Sequence, residues 1–440
     1  MGNKDLIRSF SKYVSLNILG MLGLSCYILA DTFFISNALG PAGLAALNFS
    51  IPVYCVINGT GLMLGIGGAT KYSVLEAQGD KAGGNRIFTN TLLLGVCLGA
   101  IIFASGLLFS EPLARVLGAD AVTLEMTNTY LMTIMSFAPC FILNNIFIAF
   151  VRNDGSPKLS MAAMLTGSFS NVILDYIFMY PFGMGMFGAA FATGLAPVIS
   201  LGVLSLHFIR GKNRFRPVRC RLQNVKSILS LGLSSFIAEI SSGLVIIVFN
   251  LLIIGIEGNT GVAAYGVVAN LALVALSVYT GVSQGMQPLV SREYGAGRRE
   301  NARVILKYSL ILAVGVSAVM YCLTFIFSNN LVAVFNGEND LLLAELADAG
   351  IKIYFVGFFF AGVNIIASSF FSSMEKPKSA FIISLLRGCV VLVPAAAALA
   401  ALAGMNGIWM SFVAAELITS AASITFIMKS GSKKRSANTL

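Results

Sequence analysis

The sequence predicts an all-α polytopic membrane protein with twelve transmembrane helices, arranged as two pseudo-symmetric six-helix bundles. Three observations predict this fold class: long apolar runs, a one-sided distribution of basic residues, and an internal repeat. Of the 440 residues, 57% are hydrophobic and 11% are charged, and the mean hydropathy is +0.85. Soluble domains usually carry about 25% charged residues, so this composition indicates a membrane protein.

The apolar residues fall into runs of about 20 residues, which is the length that a helix needs to cross the bilayer core. Backbone polar groups find no water partners in lipid, so each run is expected to form a helix. The predicted spans are residues 13–36, 44–70, 87–110, 128–151, 159–180, 187–209, 228–254, 262–288, 304–327, 350–373, 380–402 and 407–428.

The basic residues predict the orientation of these spans. With the N-terminus inside, 27 of the 29 Lys and Arg lie in or beside inner segments, and only Arg115 and Lys352 do not. Such a bias predicts cytoplasmic termini and accounts for the net charge of +10 without a nucleic-acid partner. Arg387 counts as an inner helix end in this threading, so no basic residue is expected deep in a span. His207 and Trp409, both near span ends, are interpreted as membrane-interface residues.

Short matches at a nearly constant offset indicate an internal duplication. "LGPAGLAAL" resembles "EGNTGVAAY" and pairs Gly40 with Gly258, while "AQGD" resembles "GAGR" and pairs Gly79 with Gly297. "SPK" at 156–158 similarly resembles "KPK" at 376–378. Because six spans is an even number, both halves point the same way, and a binding site is expected between them.

The duplication divides the chain into three predicted parts. Residues 1–213 form an N-lobe with helices 1–6, residues 214–227 a basic cytoplasmic linker, and residues 228–440 a C-lobe with helices 7–12.

Only four acidic residues lie deep in the predicted spans: Asp31, Asp175, Glu239 and Glu416. A charged side chain at a helix centre costs about 2.5–3.5 kcal/mol on insertion scales, so such residues usually face a cavity and mark an ion or proton route. Without a basic partner, each carboxylate must be protonated, bind a cation or contact water.

Spacing groups two of these acids with polar neighbours. Asn171 and Asp175 are four residues apart, as are Tyr27 and Asp31, so each pair shares a helix face. Carboxylate, amide and hydroxyl oxygens are hard donors, which suit H⁺ or Na⁺ and not a soft metal.

Structural alternatives remain open for each deep acid. Asp31 can cap the outer end of its helix near Asn37, and Asp175 can make a helix-packing hydrogen bond. Glu239 can pack among serines, and Glu416 lies between small residues in a last helix that can be peripheral.

Two common catalytic motifs are missing from the sequence. It contains no Walker motif with GK[ST] and no HExxH. ATP-driven pumping and hydrolysis are therefore not expected. We expect no enzyme activity and no cofactor other than a coupling ion.

Three longer segments carry a family resemblance: "DTFFISNALGPAGLAALNFSIPVY" from residue 31, "NVILDYIFMYPFGMGMFGAAFATG" from residue 171 and "EYGAGRRENAR" from residue 293. With the duplication, they resemble the MATE family, the multidrug and toxic compound extrusion antiporters. The likeness is greatest to the DinF-type branch and its MepA-like drug pumps.

The resemblance implies rocker-switch export driven by inward H⁺ or Na⁺. By motif it assigns the ion-coupling site, with a possible Na⁺, to Asp31, Asn171, Asp175 and Thr193. It places Tyr130 in the substrate cavity, to which we also assign Tyr27 and Glu239, the latter resembling an acid in span seven of relatives. Some members bend span one at a proline, but residues 13–36 contain none, so a proline-centred bend is in doubt.

The leading hypothesis is a cation-coupled antiporter in a bacterial-type plasma membrane, monomeric, with both termini cytoplasmic. Its expected partners are small organic cations or amphipathic drugs and membrane lipid. The alternative in the same superfamily is a lipid-linked saccharide flippase. Such flippases usually have more spans and a basic cavity, and here no deep base is expected. A non-transporting scaffold or receptor is a third hypothesis, which would not need unpaired acids near the midplane.

Overall fold

The computed structural model describes residues 3–211, 213–219, 224–336 and 340–432, and within these ranges it contains helices and no strand. The helices of the first half are α1 Asn3–Ala77, α2 Lys81–Val116, α3 Leu124–Ser136, α4 Ala138–Asn153, α5 Pro157–Met179 and α6 Gly185–Ile209. Those of the second half are α7 Val225–Gly295, α8 Arg299–Ile326, α9 Ser328–Phe335, α10 Leu341–Tyr354, α11 Phe358–Ser373, α12 Pro377–Leu385 and α13 Leu392–Ser432.

Three of the long helices consist of two arms that meet at a glycine. Gly40 in α1 has φ of 64°, Gly258 in α7 has φ of 61°, and Gly404 in α13 has φ of 55°. In the described ranges eight helices are long and apolar enough to cross a bilayer, or nine with α3 and α4 as one bent span. Dividing three of these nine at the glycines gives twelve crossings, in agreement with the predicted all-helical fold class.

The duplicated segments adopt the same backbone conformation at matching positions. Gly79 has φ of 85° where Gly297 has φ of 77°, both in the turns between long helices. The next matching pair differs in residue type: Gly155 has φ of 85°, and its counterpart Glu375 has φ of 54°. Glu375 Oε1 lies 2.6 Å from Lys71 Nζ, so this strained position places a carboxylate against the other half.

The segment "EYGAGRRENAR" is the connection between α7 and α8. Glu293 accepts hydrogen bonds from Arg298 at 2.6 and 2.8 Å and from Asn301 at 2.7 Å. Although burial raises it, these donors bring the pKa of Glu293 below its usual value. The carboxylate therefore fixes the first turn of α8 against the end of α7.

The two halves touch most closely where α1 crosses α7. Gly67 packs on the backbone of Ile228, and a Cβ at Gly285 would lie 2.6 Å from the Cα of Val14. Gly67 and Gly285 are 218 residues apart, so the contact is itself duplicated. Only glycine permits such an approach, and the contact closes one end of the space between the halves.

Two interface predictions were wrong. His207 is 1% exposed, and its Nε2 lies 2.9 Å from Asp154 Oδ2. Trp409 is fully buried and packs on Gly350 and Tyr354. Both residues lie at helix ends, but neighbouring helices cover those ends, which hydropathy along one chain does not reveal.

The N-terminal arm of α1 is continuous from residue 3 to the kink at Gly40, with no break in helical geometry. Gly20 and Gly23 serve as contact positions for Met164 and Leu165 of α5. The structure therefore shows no bend in span one, consistent with the absence of a proline there.

We expect Gly258→Ala to lower the stability of the fold by about 1–3 kcal/mol, because its φ and ψ are accessible almost only to glycine. No atom lies within 4 Å of the added Cβ, so the cost is one of backbone conformation. Gly255 is the matched control, since it lies in regular helix three residues earlier and is equally uncrowded. Gly255→Ala should leave the thermal unfolding midpoint in detergent unchanged or raise it; equal midpoints for both variants would contradict the account.

Candidate functional site

Helix α5 has two opposite faces in the membrane region. Phe169 is 60% and Ile173 is 59% exposed on the outer face, which is apolar as a lipid-facing surface requires. Asn171 and Asp175 are fully buried on the inner face. The predicted sharing of one face by these two residues is thus observed.

The carboxyl groups of Asp31 and Asp175 are neighbours in the N-terminal half. Asp31, on α1, is 6% exposed, whereas Asp175 is fully buried. Two carboxylates repel each other, and neither has a hydrogen to donate, so their close approach is favourable only when the pair holds a proton or a cation.

Asn171 and Thr193 complete the group. In the amide orientation that satisfies its neighbours, Asn171 Nδ2 donates to Asp175 Oδ2 at 3.1 Å and its oxygen lies 3.2 Å from Thr193 Oγ1. Tyr130 also lies close to Thr193 and to both carboxyl groups. The residues that the resemblance assigned to ion coupling are therefore neighbours, and Tyr130 joins them.

One oxygen of each carboxyl group lacks a hydrogen-bond donor. Within the described part of the chain, Asp31 Oδ1 and Asp175 Oδ1 are both buried without a hydrogen-bond partner. A buried acceptor without a donor is costly, and a proton or a small cation would satisfy it. The carboxylate and hydroxyl oxygens there are hard ligands, which suit H⁺ or Na⁺ and not a soft metal.

The space between the halves consists of two adjoining chambers. The proximal chamber, nearer the start of α1, has a volume of about 350 Å³, and the distal chamber about 370 Å³. They share Tyr27, Tyr54, Thr193, Glu239 and Arg387.

Some of the predicted site residues line the two chambers, and others do not. Asp31 and Tyr130 line the distal chamber together with Thr193. Asn171 and Asp175 line neither chamber. Asp31 and Thr193 therefore lie between the cavity and the buried end of the carboxyl pair.

Glu239 is half-buried on α7 and faces both chambers. Its Oε1 accepts from Asn58 Nδ2 at 2.8 Å, and Asn58 Oδ1 accepts from Asn145 at 3.0 Å. Tyr54 forms a 3.0 Å hydrogen bond with Tyr27. Sequence reasoning missed Asn58, Asn145 and Tyr54, although an amide in an apolar run was a usable signal.

The expectation that no basic residue lies deep in a span was wrong. Arg387 donates to Glu416 Oε1 from Nε at 3.0 Å and from Nη2 at 2.8 Å. It lies ten residues after the start of α12, which is about 15 Å along a helix axis. The positive-inside count treated it as a helix end because the span limit lies only seven residues before it.

Glu416 is correspondingly not on a peripheral helix face. It is 1% exposed and fully engaged with Arg387 and Asn364. The pair also removes one argument against the flippase alternative, namely the lack of a deep base.

A second buried guanidinium belongs to Arg152 at the end of α4. Its Nη1 donates to Asn17 Oδ1 at 2.8 Å and to Gln284 Oε1 at 2.7 Å. Asn153 next to it donates to Gln287 at 2.9 Å. Gln284 and Gln287 lie on α7, so these bonds connect the two halves at the floor of the proximal chamber.

Comparisons with known proteins agree with this architecture. The MatE family model matches residues 17–177 and 234–396, one segment in each half. The chain is 26% identical over 414 residues to the multidrug export protein MepA of Staphylococcus saprophyticus, covering 93% of this chain and 91% of that protein. It is 25% identical over 416 residues to MepA of Staphylococcus aureus strain MSSA476, with the same coverage.

A solved structure gives the same result for the fold. The outward-facing conformation of a multidrug resistance MATE family transporter of the MOP superfamily has a TM-score of 0.90 and 22% identity, covering 97% of both chains. The family model matches well over half of this chain, which confirms the resemblance seen in the sequence. The chain belongs to the MATE family and is a multi-pass membrane protein with the fold of its transporters.

Proposed function

We propose that this protein is a cation-coupled antiporter that exports amphipathic, mainly cationic, organic compounds by rocker-switch alternating access. The observation that carries the proposal is the buried Asp31–Asp175 carboxyl pair, which adjoins a cavity between the two halves. The related MepA proteins are named multidrug export proteins, and family membership supports the same general role.

The carboxyl pair is suited to coupling. It is enclosed in the N-terminal half, yet Asp31 and Thr193 face the distal chamber. A proton or Na⁺ in the chamber can therefore reach the carboxyl pair by way of Asp31. An ion moves a conformational equilibrium only by its differential affinity for the two states, and a pair that must hold a proton or a cation when closed supplies such a difference. Because neither carboxylate has a hydrogen to donate, we favour H⁺ as the coupling ion.

The cavity is suited to an amphipathic cation. Its walls carry aromatic and aliphatic side chains, among them Tyr27, Tyr54, Leu273 and Leu276, around the half-buried Glu239. The apolar walls favour a desolvated organic ligand, and Glu239 favours a positive charge. An acid in span seven is thus available to substrate while the N-terminal acids handle the ion.

The one-sided closure of the cavity supports alternating access. The halves meet at the proximal end through the α1–α7 contact, the Arg152 bonds and the Lys71–Glu375 ion pair. We assign this end to the cytoplasm, which gives an outward-open state. The moving units are the two lobes, residues 1–213 and 228–440, joined by the linker at 214–227; Lys212 and residues 220–223 of this region lie outside the described ranges.

The flippase alternative is less well supported, but not because the cavity lacks basic residues, as the sequence had suggested. Basic groups do line the cavity, but Arg387 is ion-paired with Glu416. The negative charge of a phosphate-bearing lipid would lie near both Glu239 and Glu416, and such a lipid has no cationic group of its own to pair with Glu239. Arg152, the other arginine among the described residues that line the chambers, already donates hydrogen bonds from its Nη1 to two amide oxygens.

Asp31→Asn and Asp175→Asn should each reduce active efflux of a cationic dye such as ethidium at least tenfold, while membrane insertion is retained. An amide cannot exchange the proton, but it preserves size and hydrogen bonding. The double variant should be no worse than either single one, because both residues act on one ion. Dye accumulation in energised cells measures the effect.

The control for this test is Glu111→Gln, which removes an exposed carboxylate paired with Arg115 on the surface. Its efflux should equal that of the unsubstituted protein. Near-normal efflux by either aspartate variant would exclude that residue from coupling.

The proposed orientation predicts that tags at both chain ends are protected from antibody in intact cells. A tag inserted at Val122, which is 69% exposed between α2 and α3, should be accessible. A tag beside Asp340 should also be accessible, whereas the neighbouring Glu338 lies outside the described residues. Staining of either chain end in unpermeabilised cells would overturn the assignment of inside and outside.

A further inference from the structure

A second charged centre lies in the C-terminal half and takes no part in the proposed coupling. Arg387 belongs to a turn of π-helix, Leu386–Val390, between α12 and α13. Its side chain is 17% exposed, while that of its partner Glu416 is 2% exposed. Both residues line the distal chamber, and the guanidinium is the more exposed group of the pair.

Glu416 is held in place from its other side. Its Oε2 accepts a hydrogen bond from Asn364 Nδ2 at 2.7 Å. The oxygen of Asn364 in turn accepts from Ser420 at 3.2 Å and from Ser423 at 2.8 Å. These hydrogen bonds fix the position of the Glu416 carboxylate, and the carboxylate in turn holds Arg387 in a defined orientation.

The guanidinium retains donors that are not used by the protein. An arginine has five N–H groups in a planar fork, and two nitrogens of Arg387 are directed at the single oxygen Glu416 Oε1. Nη1 makes no hydrogen bond within the described part of the chain. Arg387 borders both chambers, so its free edge is accessible to a bound molecule.

The free edge lies on the part of the wall that also carries Glu239. Gly388 packs against the side chain of Ser241, and Cys389 Sγ lies 3.1 Å from Ser241 Oγ. Ser241 follows Glu239 by two residues on α7. Arg387 and Glu239 nevertheless form no ion pair, since the salt bridge of Arg387 is with Glu416.

From this arrangement we infer that Arg387 binds the anionic group of zwitterionic substrates, while Glu239 binds their cationic group. A planar guanidinium edge matches a carboxylate with two parallel hydrogen bonds. Glu416 neutralises the charge of Arg387, so the same cavity still admits purely cationic compounds. The inference rests on the proposed export function and extends it to a substrate class.

The test uses two rhodamine dyes that differ at one position. One carries a free carboxylate and is a zwitterion at neutral pH; the other is its ethyl ester and is a cation of nearly the same shape. Binding to the purified full-length protein in lipid nanodiscs is measured by fluorescence anisotropy. The unsubstituted protein should bind both dyes.

The informative variant is the double substitution Arg387→Gln with Glu416→Gln. It leaves no unpaired charge buried, and two amides can still form hydrogen bonds, so the fold is preserved where Arg387→Gln alone would strand Glu416. We expect affinity for the carboxylate dye to fall at least tenfold, as for the loss of a charge-assisted hydrogen bond. Affinity for the ester should change less than twofold.

Glu239→Gln separates this inference from the proposed function. It should weaken binding of both dyes to a similar extent, because both carry the cationic group. If the double variant weakens both dyes equally, or weakens neither, the assignment of Arg387 is wrong while the proposed function stands. If the unsubstituted protein binds neither dye, the proposed substrate class fails and this inference fails with it.

Discussion

The close approach of two carboxyl groups in a nearly dry site is the constraint on which the account depends. Asp31 and Asp175 are neighbours inside an N-terminal half that supplies few other donors, and an oxygen of each is left without one among the described residues. Such a pair is stable in its closed form only with a proton or cation bound. The rest of the site follows from this need, with Asn171 and Thr193 orienting the pair and Asp31 connecting it to the cavity.

The two halves have the same backbone fold but carry different charged residues. Matching glycines set the same kinks in both, and the α1–α7 contact is repeated. The N-terminal half has carboxyls without a base, which suits exchange of an ion, whereas the C-terminal half has the closed pair Arg387–Glu416, which suits a fixed position. At the turn after α11 the repeat keeps a positive φ but replaces glycine by Glu375, and the ion pair with Lys71 offsets the strain.

The sequence predicted the fold and the N-terminal group because both depend on local patterns. Run length gives the spans, and spacing places Asn171 beside Asp175. Prediction from the sequence failed where a helix departs from regular geometry or is covered by neighbouring helices. Arg387 lies deep because α12 begins earlier than hydropathy suggests and a π turn follows it, and Trp409 is buried by packing from other helices. Thr193 and Tyr130 were assigned by resemblance alone, since one hydroxyl in an apolar run carries no signal of its own.

Efflux from proteoliposomes under separately imposed gradients tests the coupling most directly. With a pH gradient alone, the account predicts uphill movement of a cationic dye, because the carboxyl pair must take up and release a proton in each cycle. With a Na⁺ gradient alone at equal pH, it predicts no uphill movement. Uphill movement under Na⁺ alone, or none under either gradient, would contradict the claim that a shared proton drives transport.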